Sequence, residues 1–163
     1  KRFKIKRNLL LKTIQKFQGL KFRQQIIFKK ENLTIINDSK STSFSSSLGL
    51  LKKYRNVHWI LGGVHKKKDK LILSKRYFNK INAYIYGNDK NFFIKKLKGK
   101  IKYEIFKNLK DAFKKVLEIT KKNRLNHQAI LFSPSAASFD TFKNFEDRGI
   151  YFNKLVKKHL YGN

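Results

Sequence analysis

The sequence predicts one α/β domain: a Rossmann-like, mostly parallel sheet with helices on both faces and an antiparallel hairpin at one edge. Three observations predict it. Short runs rich in Ile, Val, Tyr and Phe, at 57–61, 83–86, 101–105 and 129–132, are strand-length, and the first two end in glycine. Between and after them lie stretches whose apolar residues recur at helical spacing. A chain of 163 residues with 40% apolar content buries one core rather than two.

The elements follow in order. Leu9, Leu10, Leu11, Ile14 and Phe17 give a first helix that Gly19 ends, with an exposed basic stretch before it. Two β-rich runs, 24–28 and 33–36, flank Lys29-Lys30-Glu31-Asn32 and form the hairpin. The serine-rich patch 41–47 leads into Leu48-Gly49-Leu50-Leu51, a helical rather than a linker pattern. After strand 57–61 and strand 83–86, Phe92, Phe93, Ile94 and Leu97 suit a short helix behind Asn88-Asp89. Strand 101–105 precedes a clear amphipathic stripe, Leu109, Ala112, Phe113, Val116 and Leu117, starting near Asn108. Strand 129–132 is then followed by a polar, aromatic-studded helix carrying Phe152, Leu155, Val156 and Leu160. That helix is expected to open within the small and hydroxylated residues Ser133 to Ser138, with Asp140 as a candidate N-cap, turning free N–H groups and a positive dipole end toward the strand tip.

Composition excludes several classes of function. Cysteine is absent, which removes disulfides, thiolate metal sites and a cysteine nucleophile, and His58, His65, His127 and His159 lack metal-ligand spacing. No metal site and no transmembrane segment are expected, and the expected location is the cytoplasm. Methionine is also absent, so the chain reads as a piece of a longer product. The formal net charge of +30 suits nucleic acid. Its lysines are scattered, however, and accompany an excess of Asn, Ile, Phe and Tyr, residues with A/T-rich codons. Genome bias therefore accounts for the charge ahead of a polyanion partner.

In open α/β sheets, ligands collect at the carboxyl ends of the strands. Three polar segments lie at such ends: 38–42, 62–66 and 133–138. Their placement predicts one cleft.

The run from Ser133 to Gly149, with Phe139, Asp140, Phe142, Asn144, Phe145 and Arg148 at their places within it, resembles a C-terminal signature of the Mur ligase family, in its D-glutamate-adding branch. Asn37-Asp38-Ser39-Lys40-Ser41-Thr42, Leu61-Gly62-Gly63 with Lys66, and Gly19-Leu20-Lys21-Phe22-Arg23 resemble three further segments of that branch, in the same order. The resemblance implies that 19–163 is the C-terminal, amino-acid-binding domain and 1–18 the tail of a preceding one. It implies D-glutamate contacts from Thr42, Lys66, Ser138, Phe139 and Phe145, with Lys66 on a carboxylate. It also implies ATP contacts from Arg23, Asp38 and Lys40, the cations toward phosphates and Asp38 toward the ribose. The implied reaction uses ATP and Mg2+ to activate the carboxylate of UDP-N-acetylmuramoyl-L-alanine for attack by the D-glutamate amine. No GxxxxGK[ST] loop occurs, so upstream domains must hold most of the ATP and the isolated chain is expected to be inactive. Departures are Lys21 and Phe22 for a proline and a histidine, Ser43 for an asparagine, Val64 for an acid common in relatives, and Ala136 for a cysteine. The alternatives are a nonspecific nucleic-acid-binding protein and a Mur-like domain without activity.

Overall fold

The apolar runs form six strands, β1 (Gln25–Lys30), β2 (Leu33–Asn37), β3 (Val57–Gly62), β4 (Ile81–Tyr86), β5 (Lys102–Ile105) and β6 (Gln128–Phe132), in one sheet of order β1-β2-β6-β3-β4-β5. The structure, a computed structural model, describes residues 4–17, 19–123 and 126–162, so residues 1–3 and 18 of the expected tail lie outside the described residues. Among the strand pairs of the described residues, only β1–β2 is antiparallel, a hairpin whose register shifts between Ile26 and Phe28. All other pairs are parallel.

Side chains alternate across the pleat, so neighbouring residues of one strand feed different layers. Trp59, Leu61, Ala83, Ile85 and Leu131 pack with Phe44, Leu50 and Leu51 of α2 (Phe44–Lys53) and Phe93 and Leu97 of α3 (Lys90–Leu97). Ile60, Tyr84, Tyr86, Ile130 and Phe132 pack on the other face with Phe113 and Val116 of α4 (Leu109–Lys122) and Phe152 and Val156 of α5 (Phe145–Leu160). Both faces are therefore covered, as a parallel sheet requires. The first helix, α1 (Arg7–Lys16), buries none of its residues. The crossover from β3 to β4 carries only a 3-10 turn, Lys75–Lys80. No helix among the described residues is long and apolar enough to cross a membrane.

Capping explains the starts of α2, α4 and α5. Asn108 caps α4 by accepting from Asp111 N at 2.9 Å, where the sequence places it. At α2, Ser46 Oγ accepts from Ser43 N at 3.2 Å, and the Asp69 carboxylate accepts from Phe44 N at 2.8 Å. The last helix departs from expectation. It begins at Phe145, capped by Asn144, which accepts from Asp147 N at 2.7 Å. Residues 133–144 are instead a loop, with Ser135 at φ 56° and a turn in which Thr141 and Phe142 N–H groups donate to Ser138 O. The cause is tertiary: Val64 and Ala137 form a two-bond antiparallel bridge, 2.9 Å each way, that holds the chain extended across the strand ends. Asp140 caps no helix, and its carboxylate accepts from Asn88 N at 3.2 Å. The helix-dipole anion seat expected at Ser133 to Ser138 is therefore absent.

Candidate functional site

The segments following β2, β3 and β6 meet at the carboxyl edge of the sheet and are bonded to one another. Asp38 N donates to Phe132 O at 2.7 Å, Gly62 N to Pro134 O at 3.0 Å, and the Trp59 indole to Ser133 O at 2.8 Å. The approach is close because of the glycines. A Cβ on Gly63, at φ 127°, would lie 2.2 Å from Ala137 O, and one on Gly62 would lie 2.0 Å from Tyr86 O.

Buried hydroxyls join two of these segments. Ser41 Oγ lies 2.8 Å from Ser47 Oγ, which lies 2.7 Å from Ser133 Oγ and 2.6 Å from Ser135 Oγ. Ser133 Oγ in turn donates to Asp38 Oδ2 at 2.8 Å, and Gln24 N donates to Asp38 Oδ1 at 3.1 Å. Asp38 is thus the acceptor at the end of a hydroxyl chain. Burial raises its carboxyl pKa above the ordinary value, opposed by the hydrogen bonds from Ser133 and Gln24 and by the charge of Arg23.

Arg23, Asp38 and Lys40 line one cleft of about 410 Å³, together with Phe17, Gly19, Leu20, Gln24, Ser41 and Ser46. Lys40 N donates to Phe22 O at 3.0 Å, and its ammonium stands 3.7 Å above the Phe145 ring. Phe22 is 7% exposed at φ 61° and packs on Gly149 of α5. It acts as an apolar plug that seats the turn carrying Arg23. A larger groove of about 610 Å³ runs along Asn82–Tyr84 and Gly99–Glu104 at the β5 edge and contains none of the motif residues.

Thr42 and Lys66 are exposed, and Phe139 is 74% exposed, so all three face solvent at this edge. Ser138 is only 3% exposed, and Phe145 is half-buried beneath Lys40. The Lys66 loop is fastened at both ends, by the Val64–Ala137 bridge and by Asp69, which reaches the start of α2. Beside Lys66, His65 donates its backbone N–H to Asp89 Oδ2 at 2.9 Å, pairs its Nδ1 with the same oxygen at 2.7 Å and stacks on Phe92 with ring centroids 4.0 Å apart. The hydrogen bonds from the His65 backbone and ring hold the Asp89 carboxyl below its ordinary pKa. Among the described residues, no three His, Cys, Asp or Glu gather to hold a metal ion.

Sequence reading assigned no role to Ser47, Ser133, Ser135, Asp69 or Arg148. The last had a visible signal: Arg148 falls on the buried stripe of α5 with Phe152, Leu155 and Val156, and it is 0% exposed. Its Nε donates to Ser39 Oγ at 3.1 Å, and its Nη2 donates to Ser39 O at 2.7 Å and Ala136 O at 2.9 Å. Burial lowers its pKa, opposed by the neighbouring Tyr86 and Asp140.

No family model matches the chain. Among individual proteins, it is 35% identical over 158 residues to a UDP-N-acetylmuramoylalanine–D-glutamate ligase of Wolbachia sp. subsp. Brugia malayi, covering 97% of this chain and 32% of that protein. It is 39% identical over 151 residues to the protein of that name from Rickettsia prowazekii, covering 92% of this chain and 34% of that one. The Francisella tularensis protein of the same name is 35% identical over 153 residues, 91% of this chain and 36% of its own length. The chain thus spans about a third of the length of these relatives.

Proposed function

We propose that this chain is the C-terminal, amino-acid-binding part of an ATP-dependent ligase that joins D-glutamate to UDP-N-acetylmuramoyl-L-alanine in the cytoplasm. One observation carries the reading. The loops holding Thr42, Lys66 and Ser138, which match the relatives' amino-acid contacts by resemblance, are bonded into one sheet edge instead of being scattered.

The chemistry of the residues suits the task. Lys66 offers a full charge to one carboxylate of D-glutamate. Thr42 and Ser138 offer hydroxyls, and Phe139 an apolar cover. In the neighbouring cleft, Arg23 and Lys40 suit phosphate oxygens, while Asp38, already bonded to Ser133 and Gln24, suits a ribose diol and repels phosphate. ATP supplies the phosphoryl group that activates the acceptor carboxylate. Its phosphate loop and the Mg2+ site belong to upstream domains in this reading. This part contributes position: it presents the amine and completes the shell around the nucleotide.

The test is an amide NMR titration of the 15N-labelled chain with D-glutamate and, separately, L-glutamate. D-glutamate is expected to shift the amides of Thr42, Lys66 and Ser138, with smaller effects from the L-isomer. Lys66→Ala removes a charge-assisted bond worth about 1.5–3 kcal/mol and weakens binding roughly 10- to 100-fold. Ser138→Ala removes a neutral bond of about 1 kcal/mol and weakens it roughly fivefold. Lys95→Ala, on the exposed side of α3, leaves it unchanged. Equal effects from Lys66→Ala and Lys95→Ala would remove the assigned site.

A further inference from the structure

We propose that Arg148 is a positioning residue whose buried guanidinium sets the relative places of the three loops that carry Thr42, Lys66 and Ser138. The inference rests on the amino-acid site proposed above and extends it to a residue that touches no ligand.

Each edge of the guanidinium faces a different loop. Nε and Nη2 donate to the side chain and backbone of Ser39, three residues before Thr42. Nη2 also donates to Ala136 O, two residues before Ser138. Nη1 lies 3.2 Å from where a Cβ on Gly63 would stand, three residues before Lys66. The loop after β4 joins indirectly, because Asp140, whose charge stabilises the buried guanidinium, accepts from Asn88 N.

A planar fork matches this arrangement and an ammonium does not. Arginine presents five donors in fixed directions, whereas lysine presents a compact charge on a flexible stem. Nη1 makes no hydrogen bond among the described residues, and the Tyr86 hydroxyl, 2% exposed as a residue, faces the guanidinium without completing one. The guanidinium is therefore held by the loops on two edges while its third packs against Gly63. Ser39 adds a second tie by donating its hydroxyl to Phe145 O at 2.8 Å, so the start of α5 and the β2 loop move as one body with the arginine. A shift of the Ser39 or Ala136 loop breaks a bond to the same side chain, a shift of the Gly63 loop opens its packing on Nη1, and that side chain carries each shift to the others.

The test compares the 15N-labelled chain with Arg148→Lys, first without ligand and then with D-glutamate. The lysine variant is expected to shift amides in 39–42, 63–66 and 136–138 together, leaving the sheet amides of Ile60, Ile85 and Leu131 in place, and to weaken D-glutamate binding at least about tenfold. Ligand-free changes confined to α5 and Ser39, or unaltered D-glutamate affinity with all three loops shifted, would overturn the assignment. Should Arg148→Lys fail to fold, the wild-type Arg148 Nε–H signal decides. It is expected to exchange slowly and to move on D-glutamate addition, and a signal that stays put overturns the inference. Absence of any wild-type response to D-glutamate sinks the amino-acid reading instead, and the ligand-free loop shifts still judge the clamp.

Discussion

Gly149, in the first turns of α5, has no room for a methyl group. A Cβ there would stand 2.3 Å from Phe22 Cδ1 and 2.6 Å from Phe22 Cγ, and Cγ is the root of a ring whose backbone is pinned through Lys40 and Gln25. Gly149→Ala gains helix propensity yet overpacks this contact, so a net loss of about 1–3 kcal/mol is expected, read from urea unfolding. A second residue gives a pH signature. His58 is buried, with Nε2 against Gln128 Oε1 at 2.9 Å and Nδ1 against the Tyr84 hydroxyl at 3.0 Å. The Gln128 amide donates to Thr120 O and Asn123 O, which makes its oxygen an acceptor, so Nε2 carries the His58 proton and Nδ1 accepts from Tyr84. Burial lowers the His58 pKa below 6.5, opposed by Gln128, so the unfolded chain takes a proton where the folded chain resists it. Stability is therefore complete above pH 6.5 and falls as the pH drops below it, levelling off once the folded form also protonates. Melting curves at stepped pH check this, and His58→Gln is expected to flatten that part of the profile, leaving the same-sign contribution of His159.

At the scale of elements, α1 stands apart. Leu9, Leu10, Leu11 and Ile14 are each between 46% and 61% exposed, so the helix contributes no residue to the core. Deleting residues 1–16 is expected to leave the melting midpoint within about 2 °C. The contrast with α5 shows what the sequence makes legible. Strands and the starts of α3 and α4 could be read because their signals are local: an apolar run stopped by Gly62 or Gly87, or Asn108 three residues ahead of Asp111. The start of α5 could not, because the Val64–Ala137 bridge that delays it joins positions far apart in sequence. For the same reason, the convergence of three strand-end loops was foreseeable from the strand rule, while the Ser41–Ser47–Ser133 chain and the Arg148 fork were not. A serine-rich patch looks like low complexity until its partner serines arrive from the far end of the chain.

For the molecule as a whole, charge opposes folding. Forty basic residues face ten acidic ones, and the ion pairs seen among the described residues are Lys30–Glu31 and His65–Asp89. Self-repulsion is screened within about 10 Å at 0.1 M salt and within about 3 Å at 1 M. The melting midpoint is therefore expected to rise by at least about 3 °C between 0.05 and 0.5 M NaCl, opposite to a protein held by surface ion pairs. The strand order has a kinetic consequence. β6 lies between β2 and β3 although it is made last, and Ile35 pairs with Ile130 across ninety-five positions. During synthesis, β1–β2 and β3–β4 can pair early, yet each pair keeps an open edge until the final strand slots between them. The long loop closure makes that insertion the slow event of folding. Because the three motif loops follow β2, β3 and β6, the edge they form matures only in that last step, and a chain stalled before residue 128 presents two unzipped sheet edges to its neighbours.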